Sequence, residues 1–110
     1  MNPLLIKRYT EGLAGALPDE SEYRVVSKDL EDFLGLVKGH ERLFALLSRP
    51  FLRPTKKAAV IKEILARVDY HDKSKRFLLL LVRQRRLDLL PEIIRNLPAK
   101  WKELRGIRTF

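Results

Sequence analysis

The chain has 110 residues, no cysteine, 45% apolar and 34% charged side chains, and a formal net charge of +9. That length fits one domain and that apolar share supports a packed core, while the missing cysteines exclude disulfides, thiolate metal ligands and a thiol nucleophile. The longest apolar run is six residues, against the roughly 20 that a helix needs to span a bilayer, and the opening MNPLLIKRYTEGL lacks signal-peptide order because its basic residues follow the apolar run.

The first predicted helix covers residues 3–17, with Pro3 in its first turn. It carries two apolar stripes. One is Leu5, Tyr9, Gly12 and Ala16; the other is Ile6, Leu13 and Leu17, with Thr10 among them. A surface helix needs only one stripe. The first stripe is unusual because Gly12 and Ala16 are small, so a second helix can approach beside the larger Tyr9. The plainer alternative is that both stripes are core.

Pro18-Asp19 breaks that helix. Asp19, with Glu22 three residues on, has the form of a capping box. The second predicted helix then runs to about Lys38. Tyr23, Val26, Leu30, Phe33, Leu34 and Val37 follow three-four spacing, and Asp29, Glu31 and Asp32 are expected on the wet side. Gly39 suits the position just past its end. A short third helix covers about 41–47 and stops at Ser48-Arg49-Pro50. Phe51-Leu52 is expected to tuck into the core.

Pro54 opens the fourth helix, 54–67, whose apolar side is Ala58, Val60, Ile61, Ile64 and Leu65. Lys56, Lys57 and Lys62 are expected to face water. Asp72 or Ser74 caps the fifth helix, 73–84. Its run Phe77 to Val82 is apolar at every position. Six residues at ~100° each cover every direction around a helix. Either this helix is central, or a partner covers its outer face.

The basic turn Arg85-Arg86 leads to Asp88, the expected cap of a sixth helix with Pro91 in its first turn. Ile93, Ile94, Leu97, Trp101 and Leu104 form its stripe. Pro98 lies inside it. An interior proline costs on the order of 3 kcal/mol, which predicts a kink or break near Asn96-Leu97 and resumption over 99–105. Gly106 ends the helix, and residues 107–110 read as the start of an extended segment. The expected fold is all-α: a single six-helix bundle with a short third helix and antiparallel neighbours. It occupies residues 1–105, with 106–110 as the start of a linker or second domain that is absent.

The chain holds little that could do chemistry. His40 and His71 lie at helix boundaries without a second ligand at metal spacing. The glycines, at 12, 15, 35, 39 and 106, form no phosphate loop. No serine sits in a nucleophile elbow. Catalytic, metal and cofactor residues are therefore expected to be absent. Charge is uneven: residues 1–52 carry 7 basic and 8 acidic side chains, residues 53–110 carry 16 and 6. A basic helical nucleic-acid-binding module is the alternative this suggests. The aromatics, however, mostly occupy core positions of the helical pattern, and no stacking platform is visible, so no nucleic acid is expected. Binding through apolar surface remains. One helix is apolar all round and another is two-striped, and a groove between them would take an amphipathic helix.

Four segments then resemble one family: Lys7-Arg8-Tyr9 with Gly12-Leu13; Leu46-Leu47-Ser48-Arg49-Pro50 with Pro54 and Lys57 before Val60-Ile61; Arg86-Leu87-Asp88-Leu89-Leu90-Pro91-Glu92-Ile93-Ile94; and Arg105-Gly106-Ile107. In order and extent they are similar to the N-terminal domain of the F-type ATP synthase delta subunit, whose mitochondrial relative is the oligomycin-sensitivity-conferring protein. The resemblance implies a six-helix bundle and a non-catalytic role in the peripheral stalk, the stator that keeps the catalytic head from turning with the rotor. It implies a place on the cytoplasmic side of the inner or plasma membrane, reached only indirectly through the complex. It also implies a partner, the N-terminal helix of an alpha subunit, held in a groove between the first and fifth helices. The implied groove residues are Tyr9, Gly12 and Ala16, with Leu78, Leu80, Leu81 and Arg83 opposite. Which leucines face outward stays open, because that run is apolar on every side. The sequence departs from the family pattern in three places. Arg85 stands where a glycine is usual, so a different turn is expected there. Pro98 interrupts a helix that is normally continuous. The second domain, which contacts b-type stalk subunits, does not follow.

Overall fold

The computed structural model describes residues 2–49 and 51–106. Six α-helices and one short 3-10 segment follow in order: α1 (Pro3–Gly15), α2 (Glu20–Lys38), α3 (Glu41–Ser48), α4 (Pro54–Leu65), α5 (Asp72–Arg83), the 3-10 segment (Leu87–Leu89) and α6 (Leu90–Leu104). No strand occurs among the described residues. The fold is the expected all-α bundle. Of the linker expected at residues 106–110, residues 107–110 lie outside the described residues.

Local chemistry sets the helix ends. The Asn2 side chain accepts the Leu4 and Leu5 N–H groups at 3.2 and 3.3 Å and starts α1, satisfying two of the donors that a helix start leaves unpaired. Asp19 accepts the Ser21 N–H at 2.9 Å and starts α2. That bond holds its carboxyl below the usual carboxylate range. Glu22 does not complete a capping box; it crosses to α5, where it meets Lys73 and His71.

The turn after α5 keeps a glycine-type geometry despite Arg85. The Arg86 N–H reaches the Leu81 carbonyl at 2.7 Å and the Arg85 N–H reaches Val82 at 3.1 Å. This pair of bonds is the Schellman closure. It puts Arg85 at φ 58°, a left-handed conformation that costs a non-glycine residue roughly 1–2 kcal/mol. Arg85 thus occupies the left-handed position that a glycine would take without strain.

Four sequence expectations are corrected by packing. Asp88 lies within the 3-10 segment and caps nothing. Pro98 does not break α6, which runs unbroken from Leu90 to Leu104. The physical reason is its placement: Pro98 is exposed, while Leu97 and Trp101 beside it are buried. The α1–α6 contact, the most extensive between any two elements, holds both flanks of the proline in helical register. Phe51 is exposed to 97%, not tucked in; its neighbour Leu52 takes the partly buried side of the turn. Lys57 is buried rather than wet. It lies one turn before Ile61 on the inward stripe, and its ammonium donates to the Leu47 carbonyl at 2.8 Å, serving an unpaired acceptor near the end of α3.

The core joins one face of every long helix: Leu13 and Leu17, Val26, Leu30 and Phe33, Ile61 and Leu65, Leu78 and Leu81, and Ile93, Leu97 and Trp101. Trp101 stacks on Tyr23 with centroids 4.4 Å apart and planes 11° apart. Its Nε1–H donates to the Leu17 carbonyl at 2.7 Å. Arg105 Nη2 donates to the Ala14 carbonyl at 2.9 Å. These two bonds tie α6 to the last turn of α1.

Candidate functional site

The two stripes of α1 go to different places. Thr10, Leu13 and Leu17 are buried, and the Thr10 hydroxyl turns back onto the Ile6 carbonyl at 2.6 Å, which satisfies it. The other stripe only borders the core, with Leu5 and Tyr9 packed against its edge. Leu5 and Tyr9 are half-buried, and Gly12 and Ala16 are exposed. α1 packs chiefly on α6, while α5 packs on α4 and α2. The space left between α1 and α5 is a groove of about 620 Å³.

Its walls repeat at helical spacing. α1 contributes Leu5, Arg8, Tyr9, Gly12, Leu13 and Ala16; α5 contributes Lys73, Arg76, Phe77 and Leu80. Leu13 and Phe77 are nearly closed off from solvent and make the floor. Leu80 stands 42% exposed on one wall. A Cβ added at Gly12 would meet no atom within 4 Å, so the groove is open beside it. The lining is mainly apolar, and among the described residues its formal charges are the three cations Arg8, Lys73 and Arg76.

A polar node fixes the start of α5. Asp29, expected on the wet face of α2, is buried. Its Oδ2 accepts the Ser74 hydroxyl at 2.7 Å and the His71 N–H at 2.9 Å. His71 Nδ1 accepts the Lys73 N–H at 3.0 Å and so caps the helix, a role expected of Asp72 or Ser74. Accepting that bond leaves Nδ1 unprotonated, with Nε2 carrying the proton 3.4 Å from Glu22. Lys73 in turn donates to the Ala16 carbonyl at 2.8 Å and pairs with Glu22 at 2.8 Å. The node therefore pins the N-terminus of α5 to the end of α1 and closes one end of the groove.

The structure brings together Tyr9, Gly12, Ala16 and Leu80 of the residues anticipated from sequence. It does not bring Leu78, Leu81 or Arg83 to them. Leu78 and Leu81 are fully buried, because they lie on the flank of α5 turned toward the core. Arg83 is exposed but does not line the groove. Sequence reasoning set Leu5 on this stripe without assigning it to the groove, and missed Arg8, Leu13, Lys73, Arg76 and Phe77. The signal was there for the α5 set: Lys73, Arg76, Phe77 and Leu80 fall at i, i+3, i+4 and i+7, one face of a helix.

A second cavity of about 650 Å³ lies between α2, α3, α4 and the α5–α6 turn, with Phe33, Leu47, Lys57 and Leu87 among its walls. Among the described residues no group of three or more His, Cys, Asp or Glu is placed to hold a metal ion, and no helix is long and apolar enough to cross a membrane. Trp101 is buried against Tyr23 and offers no exposed face to a nucleobase.

Comparison with known proteins gives a consistent result. Residues 5–110 match the family model described as the ATP synthase delta (OSCP) subunit. The chain is 30% identical over 100 residues to ATP synthase subunit delta of Cyanothece sp., covering 91% of this chain and 54% of that protein. It is 28% identical over 93 residues to ATP synthase subunit delta of Syntrophus aciditrophicus, covering 84% and 51%. It is 31% identical over 85 residues to the chloroplastic ATP synthase delta chain of Chlamydomonas reinhardtii, covering 77% and 39%. The chain thus spans about half the length of the first two relatives and less of the third. No solved structure matches it.

Proposed function

The chain belongs to the ATP synthase delta (OSCP) subunit family, and on that premise we propose that it is a non-catalytic stator module that holds the N-terminal helix of an alpha subunit in the groove between α1 and α5. The observation that carries this reading is the groove itself. An apolar lane wide enough to leave Gly12 open lies between two helices that each expose a stripe there. An amphipathic helix laid in such a lane buries its apolar face on both walls at once.

The action is mechanical. A helix packed along a groove resists torque through many small contacts rather than one bond. The groove is closed at the Lys73–Ala16 end by a direct hydrogen bond, which fixes the separation of its walls there. In this reading the module grips the catalytic head, and contact with b-type stalk subunits belongs to the part of the relatives' length that this chain does not span. Its place is the periphery of the membrane, on the cytoplasmic side, reached through the complex.

The test is binding of a synthetic peptide of the alpha subunit's N-terminal helix to the 110-residue chain, measured by calorimetry. Saturable binding that Leu80→Asp and Gly12→Glu each abolish, with helical content unchanged, is the expected result. Binding that survives both substitutions would remove the groove assignment.

A further inference from the structure

The groove is apolar along its floor but cationic along both walls. Arg8 projects from α1 and Arg76 from α5, and both are exposed. Among the described residues neither guanidinium has a hydrogen-bond or ion-pair partner. The third cation of the lining, Lys73, is already engaged by Glu22 and the Ala16 carbonyl. The nearby carboxylate on α1, Glu11, is turned to Lys7 and Lys100 instead. So one unpaired guanidinium stands on each side of a lane whose described lining residues include no carboxylate.

Resting on the groove reading above, we infer that Arg8 and Arg76 are specificity-determining residues that select an occupant helix with carboxylates on both flanks of its apolar stripe. The geometry follows from helix periodicity. A helix seated in a groove puts its a and d positions on the floor and its e and g positions against the two walls. Acidic residues at those flanking positions would each face one guanidinium. Guanidinium groups pair with carboxylates in a planar, two-bonded fashion that lysine cannot reproduce. A neutral-flanked helix would fill the floor but leave the walls unanswered, and a basic-flanked helix would be repelled from both. Arg8 and Arg76 also stay wet in the free chain, so the pairing acts on partner choice and association rate more than on folding.

The experiment uses the full chain and the alpha-subunit peptide made in three versions. All keep the apolar stripe; the residues flanking it are all Glu, all Gln or all Lys. Affinities are measured at about 20 and 300 mM salt, and again with the double variant Arg8→Glu, Arg76→Glu, whose helical content is checked by circular dichroism. At low salt the expected order is Glu over Gln over Lys, with roughly three- to tenfold per step. The steps shrink at high salt, and the order reverses for the double variant. Equal affinities for the Glu and Gln peptides, both lost in Leu80→Asp, would overturn the charge inference and leave the groove standing. Binding unaffected by Leu80→Asp, or no binding of any version, would overturn the groove reading and this inference with it. Sedimentation of the chain alone supplies the remaining arm: a dimer that Leu80→Asp dissolves would assign the groove to a second copy and overturn the inference.

Discussion

The Oδ2 atom of Asp29, buried on α2, accepts the hydroxyl of Ser74 on α5 at 2.7 Å, and so places a charged acceptor from one helix inside the first turn of another. The same oxygen accepts the His71 N–H. A helix start carries partial positive charge and unpaired N–H donors, which is why a carboxylate can be buried there. This bond, with the Lys73–Ala16 link beside it, sets where the α5 wall of the groove stands.

Removing Asp29 therefore strands two donors. Hydrogen bonds to a charged group contribute about 1.5–3 kcal/mol each, and part of that is recovered when water enters. Asp29→Ala is expected to lower unfolding free energy by about 3 kcal/mol in urea titrations, and Asp29→Asn by about 1 kcal/mol because an acceptor oxygen remains. Equal stability of Asp29→Ala and the parent chain would refute the anchoring role.

Leu78 and Leu80 sit two residues apart on α5, one fully buried and one 42% exposed. Leu78→Ala should cost about 2–5 kcal/mol, the range for a core leucine, whereas Leu80→Ala should cost well under about 1 kcal/mol. Peptide binding is expected to show the opposite ranking per molecule folded. Thermal unfolding and calorimetry on the two variants check both halves of the contrast.

Gly12 occupies the interior of α1 with open space where a side chain would be. Glycine there is about 0.5–1 kcal/mol less favourable than alanine. Gly12→Ala should accordingly raise the unfolding temperature by a few degrees, while the added methyl intrudes on the groove and weakens the peptide complex. A variant that gains neither stability nor loses affinity would show that this residue is ordinary surface.

Pro98 sits inside an unbroken α6. Pro98→Ala returns an N–H to the helix and removes the ring's clash with the carbonyl four residues back, a change of about 3 kcal/mol in favour of the helix. Freedom gained by the unfolded chain gives back about 0.4–1 kcal/mol. A net gain of roughly 2 kcal/mol in denaturant unfolding is expected, and a loss of stability would mean that the proline ring itself is required where α6 packs on α1.

Burial, and then the hydrogen bond its hydroxyl donates to Asp32, push the Tyr70 phenol above its ordinary range. The fold thus favours the neutral phenol. The associated stability is complete below the free phenol's value of about 10 and is lost as pH rises beyond it. Ultraviolet titration should show a tyrosine fraction that resists ionisation above the ordinary phenol range until the chain unfolds, and Tyr70→Phe should remove that resistant fraction. Simultaneous ionisation of all tyrosines near pH 10 would contradict the Tyr70–Asp32 contact.

Periodicity and breakers alone determined the helices, because both are local. Pro18-Asp19, Gly39 and Pro54 punctuate the chain where α1, α2 and α4 end or begin, and three-four spacing picked out the inward faces of α2 and α4. The same reasoning singled out α1 and α5 as helices with more apolar surface than a bundle position needs. It could not orient α5. Six apolar residues in succession present every direction equally, so only the packing of α5 on α4 and α2 turned Leu78 and Leu81 inward and left Leu80 in the groove. Nor could spacing reveal that Asp29 and Lys57 are buried, since a charge is tolerated inside only when another element brings it a partner. For Asp29 those partners are Ser74 and His71, more than forty positions away; for Lys57 it is the carbonyl of Leu47. The helices were written in neighbouring residues, while the groove's open face, its cationic walls and the node that anchors them exist only once distant helices meet.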